Sequence, residues 1–488
     1  MAHTGTPAPD TGDLMKRIDT AGKFWLIGHE EDVLPGRLKF DPAAQGIELS
    51  LIGRFKSSGS PNRELDTRIL GICDSGPVTL DRSFFAGNVI RSSGLDESRH
   101  HANRLFMGHH FTDPEIAVTS ATIEIDHLSD WIAQTGITKQ FTPRDVTSNT
   151  PSAFSASCTS TPAEASDFSR GSITLNSHWR QEETSPHQVQ LNYWHSIRIE
   201  YETPQAFEVA QRDVARLQDL VTMCTDSFAN LTNFSIEAPD AMVTMIDGTQ
   251  TEFSQRIEFL APSIHRKSDK TSRRSANSSN FITFAEVGGV ATLANWVDHV
   301  DSFQQPLNSM MSIRHNTQMY MENKFLNIMQ AAEAYHRITH SNSHVDEEEF
   351  SKLRLELVAA TPAEHRDWLD EKIKFINTPT LNKRMRQLAR SAGPSIRALI
   401  KNLDHWSFTI AGTRNELTHL GRKSGKITGR DLYYLSESVY IVIRSCMLLE
   451  AGVAPVELSR KADSEALLQH ADRIHASIQR VRHELRET

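Results

Sequence analysis

The sequence predicts an α+β protein with a β-rich N-terminal part and an all-α C-terminal part. Three observations predict this division. Short alternating or wholly apolar runs separated by Gly, Pro and Asp continue to about residue 260. Longer runs with helical spacing begin at about residue 295. The charge balance also changes, because residues 311–488 hold 26 Lys and Arg against 22 Asp and Glu, whereas the preceding 310 residues hold 26 against 39.

The composition excludes wholly disordered and fibrous proteins. The chain has 488 residues, a net charge of −9 and 38% hydrophobic residues, a length typical of two or three domains. The four cysteines are far apart and form no CxxC pair, so neither a zinc knuckle nor a disulfide framework is expected. Since no secretory leader and no uninterrupted apolar stretch of about 20 residues is present, we expect a cytoplasmic protein that does not enter a membrane.

The N-terminal elements are predicted from period-2 patterns and turn residues. Strands are expected at 22–28, 36–41, 46–55, 67–72, 77–85 and 121–132, and again at 172–177, 195–204, 241–247 and 252–260. The stretch from Asp145 to Ser172 is rich in Ser and Thr, which predicts a long loop. A helix is expected from Pro204 to about Phe228, and a basic loop at 266–280. Residues 1–300 therefore form one β-rich domain or two lobes separated by the Ser/Thr-rich loop.

Residues 301–488 predict a helical bundle. At 323–340, an apolar face is formed by Phe325, Ile328, Met329, Ala332 and Tyr335. Further helices are expected at 347–360, after Pro362, at 381–390, from Pro394 to Ile410, at 427–452 and at 464–485.

The candidate catalytic side chains lie in AGTRNELTHLGRKSGK, residues 411–426. On a helix, Asn415 and His419 would lie about 40° apart, with Arg414 about 140° from His419. Thr413 and Glu416 match a capping box, which predicts that Arg414 occupies the first helical position, where free backbone N–H groups favour a phosphate. The same residues also fit an ordinary solvated helix start, but the basic residues on both sides favour a polyanion.

TRNELTHL resembles the TRNxLTH signature of the HEPN superfamily, in particular its ApeA-like branch. In that branch the motif follows a helix similar to FLNIMQAAEAYHR (325–337) and a basic segment similar to LNKRMRQLAR, so the likeness extends from Glu322 to near Glu450. The N-terminal half is similar to the domain that accompanies this branch, in FW…LPGRLKFDPAAQGIELSLIGRF and GICDSGPVTLDRSFF. Glu416 departs from the pattern, because relatives often carry an aromatic residue there, and an acidic group beside a phosphate would weaken binding unless it points away.

The resemblance implies a metal-independent endoribonuclease of bacterial anti-phage defence, with no cofactor and no metal. His419 would exchange a proton with the ribose 2′-OH or the leaving oxygen. Arg414 would bind the phosphate, and Asn415 would orient the imidazole or hold a phosphate oxygen. The product would be a 2′,3′-cyclic phosphate, and DNA would not be cut. We expect RNA, with tRNA as a candidate, to be bound by Arg384, Arg386, Arg422, Lys423 and Lys426.

The resemblance also implies partners. One chain supplies one such Arg and His, so a homodimer with two motifs facing each other across a twofold axis is expected. The charge difference between the two parts of the chain suggests that the acidic N-terminal domain is a sensor of a phage-derived trigger or a restraint that repels RNA. The alternative is a non-catalytic RNA-, nucleotide- or protein-binding signalling module, and a third interpretation is a structural role with a carbohydrate- or protein-binding β domain.

Other titratable groups are interpreted as structural. His100, His101, His109 and His110 have no accompanying Cys or fixed carboxylate, so a polar loop or strand edge is favoured over a metal site. His336, His340 and His344 recur every four residues, which would place metal ligands on one helix face, but a polar helix end is favoured over a metal. Glu333 is similar to a family glutamate and is expected to brace the bundle or the active-site helix, with no part in the chemistry. GRKSGK at 421–426 lacks the GxxxxGK[ST] spacing, so nucleotide binding through a P-loop is not expected.

Overall fold

The computed structural model describes residues 17–42, 46–56, 67–90, 96–144, 147, 151–185, 187–244, 250–262, 282–316, 319–374, 376–397, 399–418, 427–462 and 465–487. Its contacts divide the chain into two compact units. The first, named the β unit, comprises 1–222, 229–275 and 289–298. The second, named the helical unit, comprises 223–228, 276–288 and 299–488.

The first six strands of the β unit form a closed antiparallel barrel. They are β1 (Ile18–Leu26), β2 (Leu34–Phe40), β3 (Ile47–Ile52), β4 (Thr67–Cys73), β5 (Gly76–Ile90) and β6 (Asp96–Met107). The ring runs β6–β3–β2–β1–β4–β5 and closes because β5 also pairs with β6. Closure removes the free strand edges that an open sheet of this size would expose.

Alternating side chains fill the barrel as the period of two requires. Leu38 and Phe40 on β2 and Leu49 on β3 are fully or almost fully buried. Phe24 on β1 lies opposite Gly71 on β4, and a Cβ at Gly71 would lie 2.3 Å from the Phe24 ring. Glycine is therefore needed at 71 to make room for the aromatic ring.

The same sheet continues beyond the barrel from β6. The elements that follow are β7 (Ala117–Ile125), α1 (Leu128–Ile132), β8 (Ile137–Thr142), β9 (Ala153–Cys158), β10 (Glu164–Phe168), β11 (Gly171–Ser185), β12 (Gln188–Ala206), α2 (Phe207–Thr225), β13 (Leu231–Glu237), β14 (Met242–Thr244), β15 (Gln250–Ser254) and β16 (Ile257–Leu260). Strand order from β6 is β16–β13–β7–β12–β11–β10, and two separate hairpins are formed by β8–β9 and β14–β15. Phe207 at the start of α2 packs on Phe106 and Phe259, with ring centroids 5.0 and 4.6 Å apart, which ties the helix to the sheet.

Two predictions for the β unit are wrong. The run 121–132 is not one strand, because β7 ends at Ile125 and α1 follows, with His127 between them in the left-handed conformation. The segment 145–172 is not simply a loop, since β9 and β10 lie within it. Every residue of β9 from Ala153 to Ser157 is exposed, so this hairpin lacks the buried alternation that identifies a strand in a sequence. The predicted loop at 266–280 lies outside the described residues.

The helices follow in the order α3 (Phe284–Val287), α4 (Val290–His299), α5 (Gln304–His315), α6 (Met321–Thr339), α7 (Glu347–Ala360), α8 (Arg366–Ile373), α9 (Leu381–Ser391), α10 (Leu403–Thr418), α11 (Gly429–Glu450), α12 (Pro455–Ala462) and α13 (Glu465–Glu487). These helices belong to the helical unit, except that α4 lies in the β unit up to residue 298. Around the central α11 pack α6, α9 and α13. The predicted fold class, a β-rich N-terminal region followed by a helical region, is confirmed.

Among the described residues, α11 is the one helix long and apolar enough to cross a membrane, and 78% of its most apolar stretch is buried in the protein. Its N-terminus is closed by a capping box of Thr428 and Asp431. Arg480 donates to the buried Asp431 carboxylate, with its Nε 3.0 Å from Oδ1. The burial and the ion pair are those of a core helix.

Candidate active site

The motif residues lie on α10, near the end of its described length. Arg414 is in the interior of this helix, eleven residues after its first residue, Leu403. The predicted capping box is therefore wrong: Thr413 is fully buried and its hydroxyl donates to the carbonyl of Thr409 at 2.8 Å. The predicted use of helix N-terminal amides for a phosphate fails for the same reason, since Arg414 lies about three turns after the helix N-terminus.

The helix itself begins later than predicted and runs further. The segment from Pro394 to Ile410 contains a short 3-10 turn at Pro394–Ile396, and α10 starts only at Leu403. Trp406 is fully buried and donates its indole N–H to Ser438 of α11 at 3.0 Å. On another face, a Cβ at Gly412 would lie 2.7 Å from Leu485 of α13, so glycine permits close packing there. These contacts fix the rotation of α10 about its axis.

Opposite Arg414 stands Glu333 on α6. The predicted apolar face of that helix is confirmed, because Phe325, Ile328, Met329, Ala332 and Tyr335 are all buried. Burial of that face leaves Glu333 at its edge, with a side chain 20% exposed. Its Oε1 lies 3.5 Å from Nε of Arg414, whose side chain is 36% exposed. The contact uses one edge of the guanidinium, and the planar fork offers further N–H donors.

Glu333 and Arg414 both line a cleft of about 640 Å³ within the helical unit. The volume is typical of sites for small molecules or nucleotides. Among the described residues, its lining combines two cations, one carboxylate, amide and hydroxyl groups, and apolar side chains: Gln305, Leu326, Met329, Gln330, Glu333, Ala334, Arg337, Ile338, Arg414 and Thr418. Thr418 immediately precedes His419 in the sequence.

The other predicted catalytic residues are placed as follows. Asn415 is exposed on α10 and is not part of the cleft lining. His419 lies outside the described residues. Glu416 is half-buried on α10 and likewise does not line the cleft. The structure therefore brings Arg414 together with Glu333 and Arg337.

The predicted RNA-binding residues separate into different environments. Arg384 on α9 is buried: its guanidinium donates to the carbonyl of Pro379 and to the side chain of Asn342, and it lies beside His336. In this position its guanidinium is used within the helical unit and only 7% of the residue is exposed, which does not favour a role in RNA binding. Arg386 is more exposed and pairs with Asp404 at 2.9 Å. Arg422, Lys423 and Lys426 lie outside the described residues.

The buried His336 lies beside Arg384. The rings of His336 and His340 stack with centroids 4.6 Å apart. Nε2 of His336 lies 3.0 Å from Gln387 Oε1, and Nδ1 lies 3.4 Å from a guanidinium N of Arg384. Burial lowers the pKa of His336 to about 4, opposed in part by the hydrogen bond with Gln387. The interpretation as a polar helix end is therefore wrong for His336, which is buried between α6 and α9. His340, at the C-cap of α6, is half-buried, and His344 is exposed, as expected at a polar helix end.

The four N-terminal histidines also have structural environments. His100 and His101 lie on β6, and burial lowers the pKa of His100 to about 4. His109 pairs with Asp240 at 3.1 Å, and His110 lies 2.8 Å from the carbonyl of Gly71. Within the described part of the chain, no group of three or more His, Cys, Asp or Glu side chains has the arrangement of a metal site.

Sequence reasoning missed Arg337 and Gln305 as cleft residues. Arg337 follows Glu333 by four residues, a spacing that places both on one helix face, and this signal was available. Gln305 comes from α5, and no local pattern relates it to α6 or α10.

Residues 19–296 match the family described as ApeA N-terminal domain 1, and residues 326–456 match the family described as Apea-like HEPN. The first match alone covers more than half of the chain. The chain belongs to the ApeA-like HEPN family. Neither a curated protein nor a solved structure matches it. The family resemblance predicted from TRNELTHL is thus confirmed, and in this ApeA-like protein the HEPN match includes every cleft residue from Leu326 to Thr418.

The family supports a coarse functional statement. ApeA-like HEPN proteins are defence proteins of the nuclease type, and HEPN domains generally act on RNA, bind it and dimerise.

Proposed function

We propose that this ApeA-like protein is a metal-independent endoribonuclease that cleaves RNA at the Arg414 cleft during anti-phage defence. The observation that carries the proposal is the position of Arg414, which lines a nucleotide-sized cleft and is held there by Glu333. Contact through one edge of the guanidinium orients it and leaves donors for a phosphate.

In the proposed reaction, His419 takes the proton from a ribose 2′-OH or returns one to the leaving oxygen. Arg414 stabilises the charge that develops on the phosphate. Asn415 orients the imidazole or contacts a phosphate oxygen. The attack of the 2′-oxygen on phosphorus forms a 2′,3′-cyclic phosphate and releases the 5′-oxygen, so a 2′-deoxy linkage is not cleaved. Arg386, Arg422, Lys423 and Lys426 contribute positive charge for RNA.

A homodimer would supply the second proton-transfer group. Each chain offers one Arg414 and one His419, and an isologous interface brings identical patches together. A monomer with full activity at every protein concentration would contradict this part of the proposal, and sedimentation alongside activity at matched concentrations measures it.

The β-rich N-terminal domain is proposed as a sensor of a phage-derived trigger or as a restraint, in a cytoplasmic protein. A division at residue 300 is too simple for a deletion test, because the helical unit includes 223–228. Asp226 pairs with Arg314 at 3.3 Å, and the carbonyl of Met223 accepts from Arg444 at 2.6 Å. Limited proteolysis that nicks residues 1–222 of the intact protein should raise RNA cleavage, and an unchanged rate would contradict a restraint.

The main test incubates purified protein with total tRNA in EDTA. Wild type should cut tRNA, whereas Arg414→Ala and His419→Ala should not. Lys372→Ala is the matched control, because this exposed residue of α8 lies outside the cleft lining. Equal thermal midpoints exclude unfolding as the cause. Binding of tRNA without cutting by the wild type would support a non-catalytic binding module instead.

A further inference from the structure

The motif helix α10 is supported from behind by α13, the last of the described helices. The Apea-like HEPN match ends at residue 456, whereas α13 comprises Glu465–Glu487, so that match assigns α13 no part in the reaction. We propose that Leu485 of α13 is a positioning residue: through its contact with Gly412 on α10, it sets how far Arg414 reaches into the cleft. The inference rests on the proposed function and adds α13 to the part of the chain that cleavage requires.

Gly412 and Arg414 lie on nearly opposite faces of α10. Two positions on an α-helix that are separated by one residue lie about 200° apart, so the Gly412 face points away from the cleft that Arg414 lines. A Cβ at Gly412 would lie 2.7 Å from Cδ1 of Leu485 and 3.6 Å from its Cδ2. The backbone of α10 therefore packs directly on this leucine. A change in their contact would displace α10 along the direction in which Arg414 extends.

The C-terminal part of α13 is itself anchored, so Leu485 can act as a fixed support. Arg480 donates to the buried carboxylate of Asp431 on α11, with its Nε 3.0 Å from Oδ1. A guanidinium N of Arg482 donates to Nδ1 of His405 on α10 at 3.0 Å. Both bonds lie within two turns of Leu485 and hold this part of α13 against α10 and α11.

Leu485 supports a part of α10 that lies beyond another of its anchors. Trp406 donates to Ser438 of α11 at 3.0 Å, six residues before Gly412 and about 9 Å from it along the helix axis. A bond at that distance fixes the rotation of α10 about its axis. The lateral position of the Arg414 end depends on the contact between Gly412 and Leu485.

The contact that orients Arg414 is sensitive to a small displacement. Nε of Arg414 lies 3.5 Å from Oε1 of Glu333, close to the limit of about 4 Å for an ion pair. A methyl group added at position 412 needs about 3.5 to 4 Å from another aliphatic carbon, so relief of the 2.7 Å contact takes about 1 Å. Displacing a catalytic group by about 1 Å can lower a rate about 10²-fold. A substitution behind α10 should therefore reach the chemistry without touching the substrate.

The test measures steady-state cleavage of one fluorescein-labelled single-stranded RNA. Gly412→Ala should lower kcat about tenfold and change KM less than about twofold, because the shift displaces a transition-state donor and leaves the binding surface in place. Leu485→Ala should lower kcat about threefold, since α10 loses its support. The double variant that combines both substitutions should return kcat to within about twofold of wild type, because the added methyl group occupies space that the leucine leaves.

Two control variants make the same substitutions elsewhere in the helical unit. Leu468→Ala changes an exposed leucine of α13, 17 residues before Leu485. Gly429→Ala adds a methyl group at the first residue of α11, where Cγ of Met321 would lie 4.0 Å away, an ordinary van der Waals distance. Both should match wild type. Gly412→Ala should leave the thermal midpoint near wild type, because the helix preference of alanine over glycine offsets the strain of the contact.

Rescue in the double variant separates positioning from general destabilisation, because two independently damaging substitutions would be worse than either one. If Gly412→Ala cleaves like Gly429→Ala, or if the double variant is no more active than Gly412→Ala, the inference is overturned while the nuclease stands. Leu485→Ala adds no atoms and carries the test if Gly412→Ala fails to fold, and cleavage like that of Leu468→Ala overturns the inference. A loss that appears in KM alone overturns it as well. If wild type cleaves no RNA, the nuclease proposal and this inference are both refuted.

Discussion

Two clefts of nearly equal size, one in each unit, differ in how their arginines are paired with carboxylates. The cleft of the β unit has about 630 Å³ and is lined by Ile27, Arg68, Asp81, Arg82, Arg104, Thr112, Pro114, Glu115, Ile116 and Glu208. That of the helical unit has about 640 Å³ and contains Glu333, Arg337 and Arg414. Size and the presence of arginine therefore do not distinguish them.

The arginines of the β-unit cleft are used within the fold. Arg68 pairs with Asp81 at 3.0 Å and donates to backbone carbonyls, while Arg104 pairs with Glu208 at 2.6 Å and contacts Asp81 at 3.5 Å. Arg82 also pairs with Glu208, at 2.9 Å. All three guanidinium groups are thus paired with Asp81 or Glu208, so an incoming phosphate would have to displace existing partners. Among the described residues of the helical cleft, one carboxylate faces two cations, and donors remain for a ligand.

The largest expected difference between the clefts is in catalysis. Arg414→Ala should lower kcat/KM for RNA by about 10³-fold, because it removes a donor to the charge formed in the transition state. Arg82→Ala removes an arginine of comparable exposure from the other cleft and should leave kcat/KM within about twofold. Steady-state cleavage of one RNA by both variants measures this. Equal losses would mean that the clefts do not differ in the way described.

The second prediction concerns the stability of the β unit. Arg104→Met should lower the free energy of unfolding of the β unit by about 3 kcal/mol, because it leaves part of a buried ion network uncompensated. Its side chain is 9% exposed. The change should shift the urea midpoint of a β-unit probe and leave kcat for RNA near wild type. A variant with wild-type stability would show that the network contributes little.

The third prediction concerns the pH dependence of stability, because the pKa of the buried His336 in the helical unit differs between the folded and the unfolded chain. Burial lowers the pKa of His336 to about 4, below the value of about 6.5 in the unfolded chain. The folded state favours the neutral imidazole, whereas the unfolded chain binds a proton below about pH 6.5. The contribution of His336 to the free energy of unfolding is therefore fully present above about pH 6.5 and is lost as the pH falls towards 4. Between pH 7 and pH 5 the loss is about 2 kcal/mol. His336→Gln should reduce this acid sensitivity in urea titrations at the two pH values, and an unchanged difference would contradict the assignment.

The smallest effect concerns the contact that orients Arg414. Glu333→Ala should lower kcat about tenfold, because the guanidinium then samples positions away from the phosphate. Glu333→Gln keeps an oxygen acceptor and should lose less. A Glu333→Ala variant that cleaves faster than wild type would show that the carboxylate competes with the substrate instead of orienting the arginine.

Much of the fold follows from local patterns, and the exceptions have physical causes. The apolar face of α6 and the acidic first turn of α7 identify those helices without tertiary information. The start of α10 was misplaced because Thr-x-x-Glu is a capping pattern only where the preceding residues are not helical. At Thr413 the preceding turn is already helical, fixed by the burial of Trp406.

The site was only partly predictable for a similar reason. Arg414 could be identified from the motif, but the difference between buried Arg384 and cleft-lining Arg337 depends on which face of each helix meets its neighbours. Charge patterns along a sequence carry no information about that rotation. The exposed strand β9 was missed because its side chains face water on both sides.

The most direct test of the central claim is the chemical nature of the cut RNA ends in EDTA. If Arg414 and His419 act on one phosphodiester, wild type should leave 2′,3′-cyclic phosphate ends on RNA. It should leave an otherwise identical RNA uncut where the cleaved position is 2′-deoxy, and both alanine variants should produce no ends above background. Cleavage of the 2′-deoxy position, or cyclic phosphate ends formed at the wild-type rate by Arg414→Ala, would contradict the account.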